Sequence, residues 1–528
     1  MKLFLFLIGG TGSRVLKPLV MQLAAGVRPE AGFKDGDELQ IVPVVIDPHQ
    51  GNEDLKRTQT LLSWYKDIRK ELHGDKACIC PGFFGIKITS LAELYGKSNK
   101  DDFVFNLSGI SDKLFMQYID YDHMDSSNQA FCQMLFSSDQ LHTKMDIGFV
   151  GSPNIGCVAL NAFTRSQEFE RFSNVFSKED RIFIVSSIFG GTGAAGYPLI
   201  VKNIRDAQNS NAATRGDLRN AMIGALTVMP YFRVNDTDKD GNKGRIQNSD
   251  FIVKTKSALR YYKKNLTGSG DEREGNRAVN ICYYLADSVM SNPYDYDDGN
   301  NGQKNLAHFV EFVGAYSIFD FLSLRDEDLL TENATAVKPL YREFGLKRGL
   351  NENKTSLDMS DLGDRTRRLL QDKMYRFHLA FIYYSYHLPS VLSDGKQRFT
   401  HDTPELRYDL LQTAFADKLN HFFGKYIEWL GEMCANQPRS FSPFYVTPLT
   451  QNGYFSATNQ LNNCILGVGH KKSIWKLPFD FSRADNKFNN LSKKWGDHKH
   501  DASQAPLKLM DLLYDGFGEL LPEYFTYN

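Results

Sequence analysis

The chain opens on an unbroken apolar run, Leu3–Ile8, that stops at Gly9-Gly-Thr-Gly12. A short continuous apolar run ending in glycine is the pattern of a strand buried on both faces of a parallel sheet. Ile41–Ile46, closed by Asp47, and Arg181–Ile188, followed by Gly190–Gly196, repeat it. Ala221–Met229, ending at Pro230, and Ala278–Ala286 add two further strands. The segments between them predict helices over Val15–Ala25, 53–72, 127–136, from the Gly151–Gly156 turn to about Phe172, from Gly196 to about Ala207, and Ser249–Lys264. Strands alternating with helices predict an α/β fold, a doubly wound and mostly parallel sheet.

Further on the pattern changes. Residues 289–303 are rich in Asn, Asp, Gly and Tyr, a loop composition. Lys304–Leu324 then predicts a long helix that is apolar around more than one face, as a helix buried between layers must be. After a strand-like stretch at Leu340–Leu346 the chain is mainly helical, with aromatic-rich segments at 374–388 and 407–434. Three regions are expected: residues 1–302, the central helix with the acidic segment behind it over 303–330, and a helix-rich α+β domain over 331–528.

Composition narrows the classes. Of 528 residues 42% are hydrophobic and 24% charged, so a large core can form. With 62 basic against 63 acidic residues, no broad basic surface points to nucleic acid. The seven cysteines are scattered, which suits free thiols in a reducing compartment; Cys78 and Cys80 lack a second pair at zinc spacing. The six-residue run Leu3–Ile8 is shorter than the ~7–15 residues of a signal-peptide core, and it runs into glycines rather than a cleavage site. No run reaches the ~18 apolar residues of a membrane span. The expectation is a cytoplasmic protein.

The candidate chemistry lies in the turns. Ligands of parallel sheets bind beyond the carboxyl ends of the strands. Four turns fall there: Gly9–Arg14, Asp47–Asn52, Gly151–Gly156 and Gly190–Gly196. Glycines let backbone N–H groups approach an oxyanion, and the helix that follows adds its positive end. Thr11, Ser13 and Thr192 can add hydroxyl donors, and Asp47 a carboxylate for a magnesium-bound water. Any one such turn is commonly just a tight turn. Gly9-Gly-Thr-Gly12 matches neither the Walker P-loop nor the G-x-G-x-x-G spacing of a dinucleotide fold. The twelve histidines show no H-E-x-x-H spacing, and there is no G-x-S-x-G elbow.

Gly190-Gly-Thr-Gly-Ala-Ala-Gly196 resembles the G-G-G-T-G-[ST]-G signature of the tubulin/FtsZ superfamily. It departs at Phe189, where the family has glycine, at Ala194, where it has Ser or Thr, and at Ala195. Other turns resemble the family in order. Gly9-Gly-Thr-Gly-Ser13 stands at its first phosphate turn and Val45-Ile-Asp47-Pro at its acidic metal-side turn. Gly151-Ser-Pro-Asn-Ile-Gly156 is similar to its γ-phosphate turn, and Leu226-Thr-Val-Met-Pro-Tyr-Phe232 to the strand ending T-K-P-F. The likeness covers about residues 1–330 and is nearest to divergent bacterial tubulin-like proteins.

The resemblance implies a site for GTP or GDP with Mg2+. Its phosphate contacts would be Gly9, Gly10, Thr11, Gly12 and Ser13, then Gly151, Ser152 and Asn154, then Gly190, Gly191, Thr192, Gly193 and Ala194, with Asp47 on the metal side. Asn305 and Asp287 stand where the family reads guanine; a helix-terminal polar residue and a cap or salt bridge are the equal alternatives. The family completes hydrolysis across a head-to-tail filament contact. Asp326, Glu327 and Asp328 occupy that acidic loop without the family's N-x-D-x-x-D order, and a solvated charge run accounts for them equally. Two other classes remain: a nucleotide-sensing interaction module with partners on its C-terminal domain, and an NAD-dependent oxidoreductase.

Overall fold

The computed structural model describes the chain except residues 31–37, 49–52, 77–80, 97–102, 106–108, 111, 146–148, 150, 207–214, 237–247, 267–277, 288–305, 330–338, 343–344, 352, 438, 445–480, 497–498 and 525–528. Asn305, Cys78, Cys80 and the far side of the Asp47–Asn52 turn therefore lie outside the described residues.

An eight-stranded, all-parallel sheet organises the molecule. Its strands are β1 (Lys2–Ile8), β2 (Gln40–Ile46), β3 (Lys87–Ile88), β4 (Val104–Phe105), β5 (Arg181–Ser187), β6 (Met222–Val228), β7 (Ile281–Leu285) and β8 (Leu340–Tyr341). The order is β3-β2-β1-β5-β6-β7-β8, with β4 also on β2. From Leu3 to Ile8 every side chain of β1 is fully buried, as a strand covered on both faces requires.

Helices cover both faces. The ones that matter here are α1 (Gly9–Ala24), α2 (Glu53–His73), α3 (Ser126–Leu135), α4 (Pro153–Leu160), α5 (Gly191–Arg205), α6 (Asn248–Asn265) and the central α7 (Phe309–Leu322). On one face Phe172 packs edge-on against Phe4 and Phe6, with ring centroids 4.9 and 5.1 Å apart. On the other, Phe321 of α7 meets Phe183 at 5.5 Å, over Gly224, where a Cβ would come within 2.7 Å of the Phe183 ring.

The expected long helix from Gly151–Gly156 to Phe172 is interrupted. It ends at Leu160, passes through a tight turn, and restarts after Ser166, whose hydroxyl accepts from Phe169 N–H. The helices after Gly9–Arg14, the first glycine turn, and after Gly190–Gly196, the second, start at the glycines themselves. Every residue of α7 is buried, as its all-round apolar pattern predicts, but the helix begins at Phe309, where the His308 imidazole caps the Val310 N–H. β8 is only two residues long, and it joins the main sheet on β7.

The remainder is helical: α8 (Asp364–Tyr386), α9 (Ala414–Ala435), α10 (Phe481–Trp495) and α11 (Ala505–Tyr524), with a two-stranded parallel pair, β9 (Ser356–Leu357) and β10 (Ser440–Phe441). Aromatic side chains bind it to the sheet layer: Trp429 and Phe441 pack on Phe312 of α7, and Phe377 on Phe83 and Phe84. Among the described residues no helix is long and apolar enough to cross a membrane.

His378 of α8 lies in this aromatic layer, stacked on Phe444 at 3.8 Å. Burial holds its imidazole down at about 3, against an ordinary 6.5. Above the ordinary value the ring is neutral in folded and unfolded chains alike. Below it, the unfolded chain takes up a proton that the folded chain refuses. Stability should therefore fall by about 1.4 kcal/mol for each pH unit below that value on account of this group. Urea midpoints at neutral and mildly acidic pH should show this slope, and His378→Met should flatten it.

Candidate functional site

The strand register brings the glycine turns together. Ile8 pairs with Ile46, so Gly9 and Asp47 leave adjacent strands side by side; Leu7 pairs with Val185, which places the second turn next along the edge. Gly9 is in the left-handed region, φ 70°, and a Cβ there would lie 3.3 Å from Thr192 Cβ. A Cβ on Gly191 would lie 3.0 Å from the backbone nitrogen of Ser152 and 3.1 Å from that of Gly151. The second turn is thus in contact with both the first and the third, Gly151–Gly156, at one end of one sheet. Each contact passes through a glycine, where an added side chain would crowd the neighbouring turn.

Other glycines of the turns anchor them to their strands. A Cβ on Gly12 would come within 2.5 Å of the Leu7 carbonyl carbon, and one on Gly193 within 2.7 Å of the Ser187 oxygen. Gly10 differs: nothing lies within 4 Å of where its Cβ would be, so it faces open space. Phe189, which stands at a glycine of the related signature, is buried against Phe232 and Phe251 at 5.6 and 5.1 Å, so it stiffens the base of the second turn.

Several proposed contacts have particular surroundings. The Ser13 hydroxyl is buried and has no hydrogen-bond partner, an orphaned donor inside the first turn. Asp47 is 5% exposed at the end of β2. Asn154 exchanges hydrogen bonds with Gln140 and donates to Leu135 O, so its side chain fastens α3 to the third turn. The Ser152 hydroxyl also accepts from Gln140. Ala194 contributes its carbonyl to Tyr262.

Asp287 follows β7 at this same sheet end. Its Oδ1 is 3.4 Å from Arg439 Nε and its Oδ2 3.3 Å from His308 Nε2, yet that buried Oδ2 is not aligned for a hydrogen bond with any group. An acceptor so placed suits a donor edge from a ligand. Asp326, Glu327 and Asp328 are elsewhere. Asp326 is bonded at 2.7 Å to Arg181, the first residue of β5, and Asp328 to Arg325. They lie at the amino ends of the strands, across the sheet from the glycine turns.

Four residues of the site, Arg14, Tyr231, Lys254 and Glu311, had no assigned role in the sequence. Arg14, in the second turn of α1, donates to Glu311 at 2.6 Å, to Leu306 O at 2.8 Å and to Asp54 at 3.3 Å. Tyr231 donates to the same Glu311 oxygen at 2.8 Å. Burial alone would lower the Arg14 pKa; the charges of Glu311, Tyr231 and Asp54 outweigh it and hold the guanidinium well above its usual value. Burial and then Glu311 push the Tyr231 phenol up, so it stays a donor. Lys254 of α6 brings its Nζ to 3.1 Å from the Cβ position of Gly151, which sets a cation against the third turn. Arg14 is separated from Glu311 by 297 residues, which local patterns do not reveal.

The residues suit a nucleotide with magnesium. Backbone amides, one open glycine and one lysine form a donor set for phosphates, and the edge carboxylate of Asp47 suits the metal side. Among the described residues no group of three or more His, Cys, Asp or Glu could cage a metal. Magnesium needs no such cage, because it takes one or two carboxylates plus phosphate oxygens and water.

No family model and no curated protein matches the sequence. Among solved structures the chain is similar to CetZ2 from Haloferax volcanii, described as a GTPγS-bound protofilament, at 11% identity and TM-score 0.26. The match covers 61% of this chain and 58% of that one. CetZ from Methanosaeta thermophila strain DSM 6194 matches at 12% identity and TM-score 0.27, covering 63% and 56%. The fold assignment rests on the sheet itself.

The Arg14–Glu311 pair yields a stability prediction. Arg14→Met leaves the buried Glu311 carboxylate without its cation, with only the Tyr231 hydroxyl and the His308 N–H as donors, and should cost about 3–5 kcal/mol. Arg14→Met with Glu311→Met should cost clearly less than the sum of the single changes, as measured by urea denaturation.

Proposed function

We propose that the chain binds a guanine nucleotide with magnesium at the converged turns, hydrolyses GTP slowly, and assembles head-to-tail. The observation that carries this is the contact of three glycine turns at the carboxyl end of one sheet, with the acidic segment at the other end. Amides of Gly9–Ser13, Gly151–Ser152 and Gly190–Ala194 would hold the phosphates, with Thr11 and Thr192 as hydroxyl donors. Lys254 would face the distal phosphate, Asp47 would hold a metal-bound water, and Asp287 would accept from the base edge. Bound magnesium would neutralise charge developing on the phosphates.

The acidic segment cannot reach its own chain's turns across the sheet. In a head-to-tail pair it would meet the turns of the next copy, where Asp326, Glu327 or Asp328 could orient the attacking water. Apolar exposure supports such a contact. Phe131, Met134 and Leu135 on α3, Val158 on α4, and Ile252 and Val253 on α6 are exposed, Met134 to 84%. These helices bracket the third turn through Asn154, by direct continuity, and through Lys254.

A non-hydrolysing sensor is the second reading. It is favoured by the ion pairs that already engage Asp326 and Asp328 within the chain.

Three outcomes test the proposal. Gly10→Val fills open space, so it should leave the melting temperature unchanged without nucleotide while weakening GTP binding at least about tenfold by calorimetry; equal affinity removes the phosphate site, and a parallel NAD titration checks the oxidoreductase alternative. With GTP and magnesium, light scattering should rise above a threshold protein concentration, and Met134→Ser with Val253→Ser should raise that threshold. Asp326→Ala with Asp328→Ala should retain GTP binding but lower assembly-dependent turnover about a hundredfold. Undetectable turnover in the unsubstituted protein, with binding intact, selects the sensor.

A further inference from the structure

A second cavity lies away from the glycine turns, beside the carboxyl end of α7. It has a volume of about 510 Å3 and is bordered by Arg342, Lys347, Arg348 and Arg365, with Asp320 and Thr366. Asp320 is fully buried and organises the wall. Its carboxylate accepts from Arg342 at 3.0 Å, from Arg365 at 2.8 Å and from Tyr283 at 2.7 Å. Two guanidinium groups are therefore held in fixed positions by one buried negative charge, and one positive charge is left over. Lys347 adds another at the exposed rim, beside Arg348. Asp364, the other acid on the lining, extends into solvent at 80% exposure and pairs with Arg367. The cavity thus carries an excess of positive charge in a volume of small-ligand size.

We propose that this cavity binds a phosphorylated small molecule. The guanidinium pair would take the phosphate as planar donors preset by Asp320, and the rim cations would add charge. Neutral ligands gain little from this excess of charge, and a hydrophobic one would desolvate it without compensation. The site is distinct from the proposed nucleotide site, since Asp320 is in the last turn of α7 whereas Glu311 at its start meets Arg14.

The experiment is calorimetric titration of the full chain with inorganic pyrophosphate. Lys347→Ser with Arg348→Ser removes two exposed side chains that do not hold Asp320, so the fold should persist by circular dichroism. A control, Lys396→Ser with Arg407→Ser, removes the same charge from exposed positions elsewhere. Gly10→Val isolates the glycine turns. The expected result is pyrophosphate binding that survives Gly10→Val and the control but weakens at least about tenfold in Lys347→Ser with Arg348→Ser. Binding lost only in Gly10→Val, equal weakening in the control, or no binding to the unsubstituted chain would each overturn the proposal.

Discussion

Parallel hydrogen bonding between β1, β2, β5 and β6 sends four strands to the same edge, and that constraint sorts the chain by end. A parallel strand must be regained by a crossover, so each strand is followed by a turn and a helix. The turns collect on one side and the helix returns on the other. Gly9 then meets Thr192, and Gly191 meets Gly151 and Ser152, at that edge. The acidic segment after α7 falls on the far side for the same reason.

The central helix joins the two ends. It is apolar all round, so it must be covered by the sheet on one side and by α9 and β10 on the other. Its first turn is nonetheless polar. Glu311 is locked by Arg14 and Tyr231 there, and its other oxygen accepts from the His308 N–H. At its last turn Asp320 plays the same part for Arg342 and Arg365. A buried carboxylate with several donors tolerates little displacement, because the loss of one partner leaves a charge without compensation. α7 is thus fixed at both termini by carboxylates and along its length by aromatic packing.

The strands were readable because a buried parallel strand is continuously apolar, and Leu3–Ile8 or Arg181–Ile188 could hardly be anything else. The turns were readable because glycine after such a strand has few purposes. The central helix was readable from its apolar breadth, though its first residue was not, because the cap is the side chain of His308 rather than a usual capping residue. The strand-like stretch at 340–346 shrinks to two paired residues, since its role is set by the partner β7 and not by its own pattern. The Arg14 network and the approach of Lys254 to Gly151 depend on contacts between distant segments, which no local window contains. Asp326 was visible as an acid, but its pairing with Arg181 was not.

The margins of the sheet are as telling as its middle. Among the described residues the outer strands are β3 and β4 on one flank and β8 on the other, each two residues long. Long bare rims with unsatisfied amides invite sideways zippering between molecules. Rims this brief offer almost no such template. Among the described residues, then, sideways pairing between copies would find only these two-residue rims to extend.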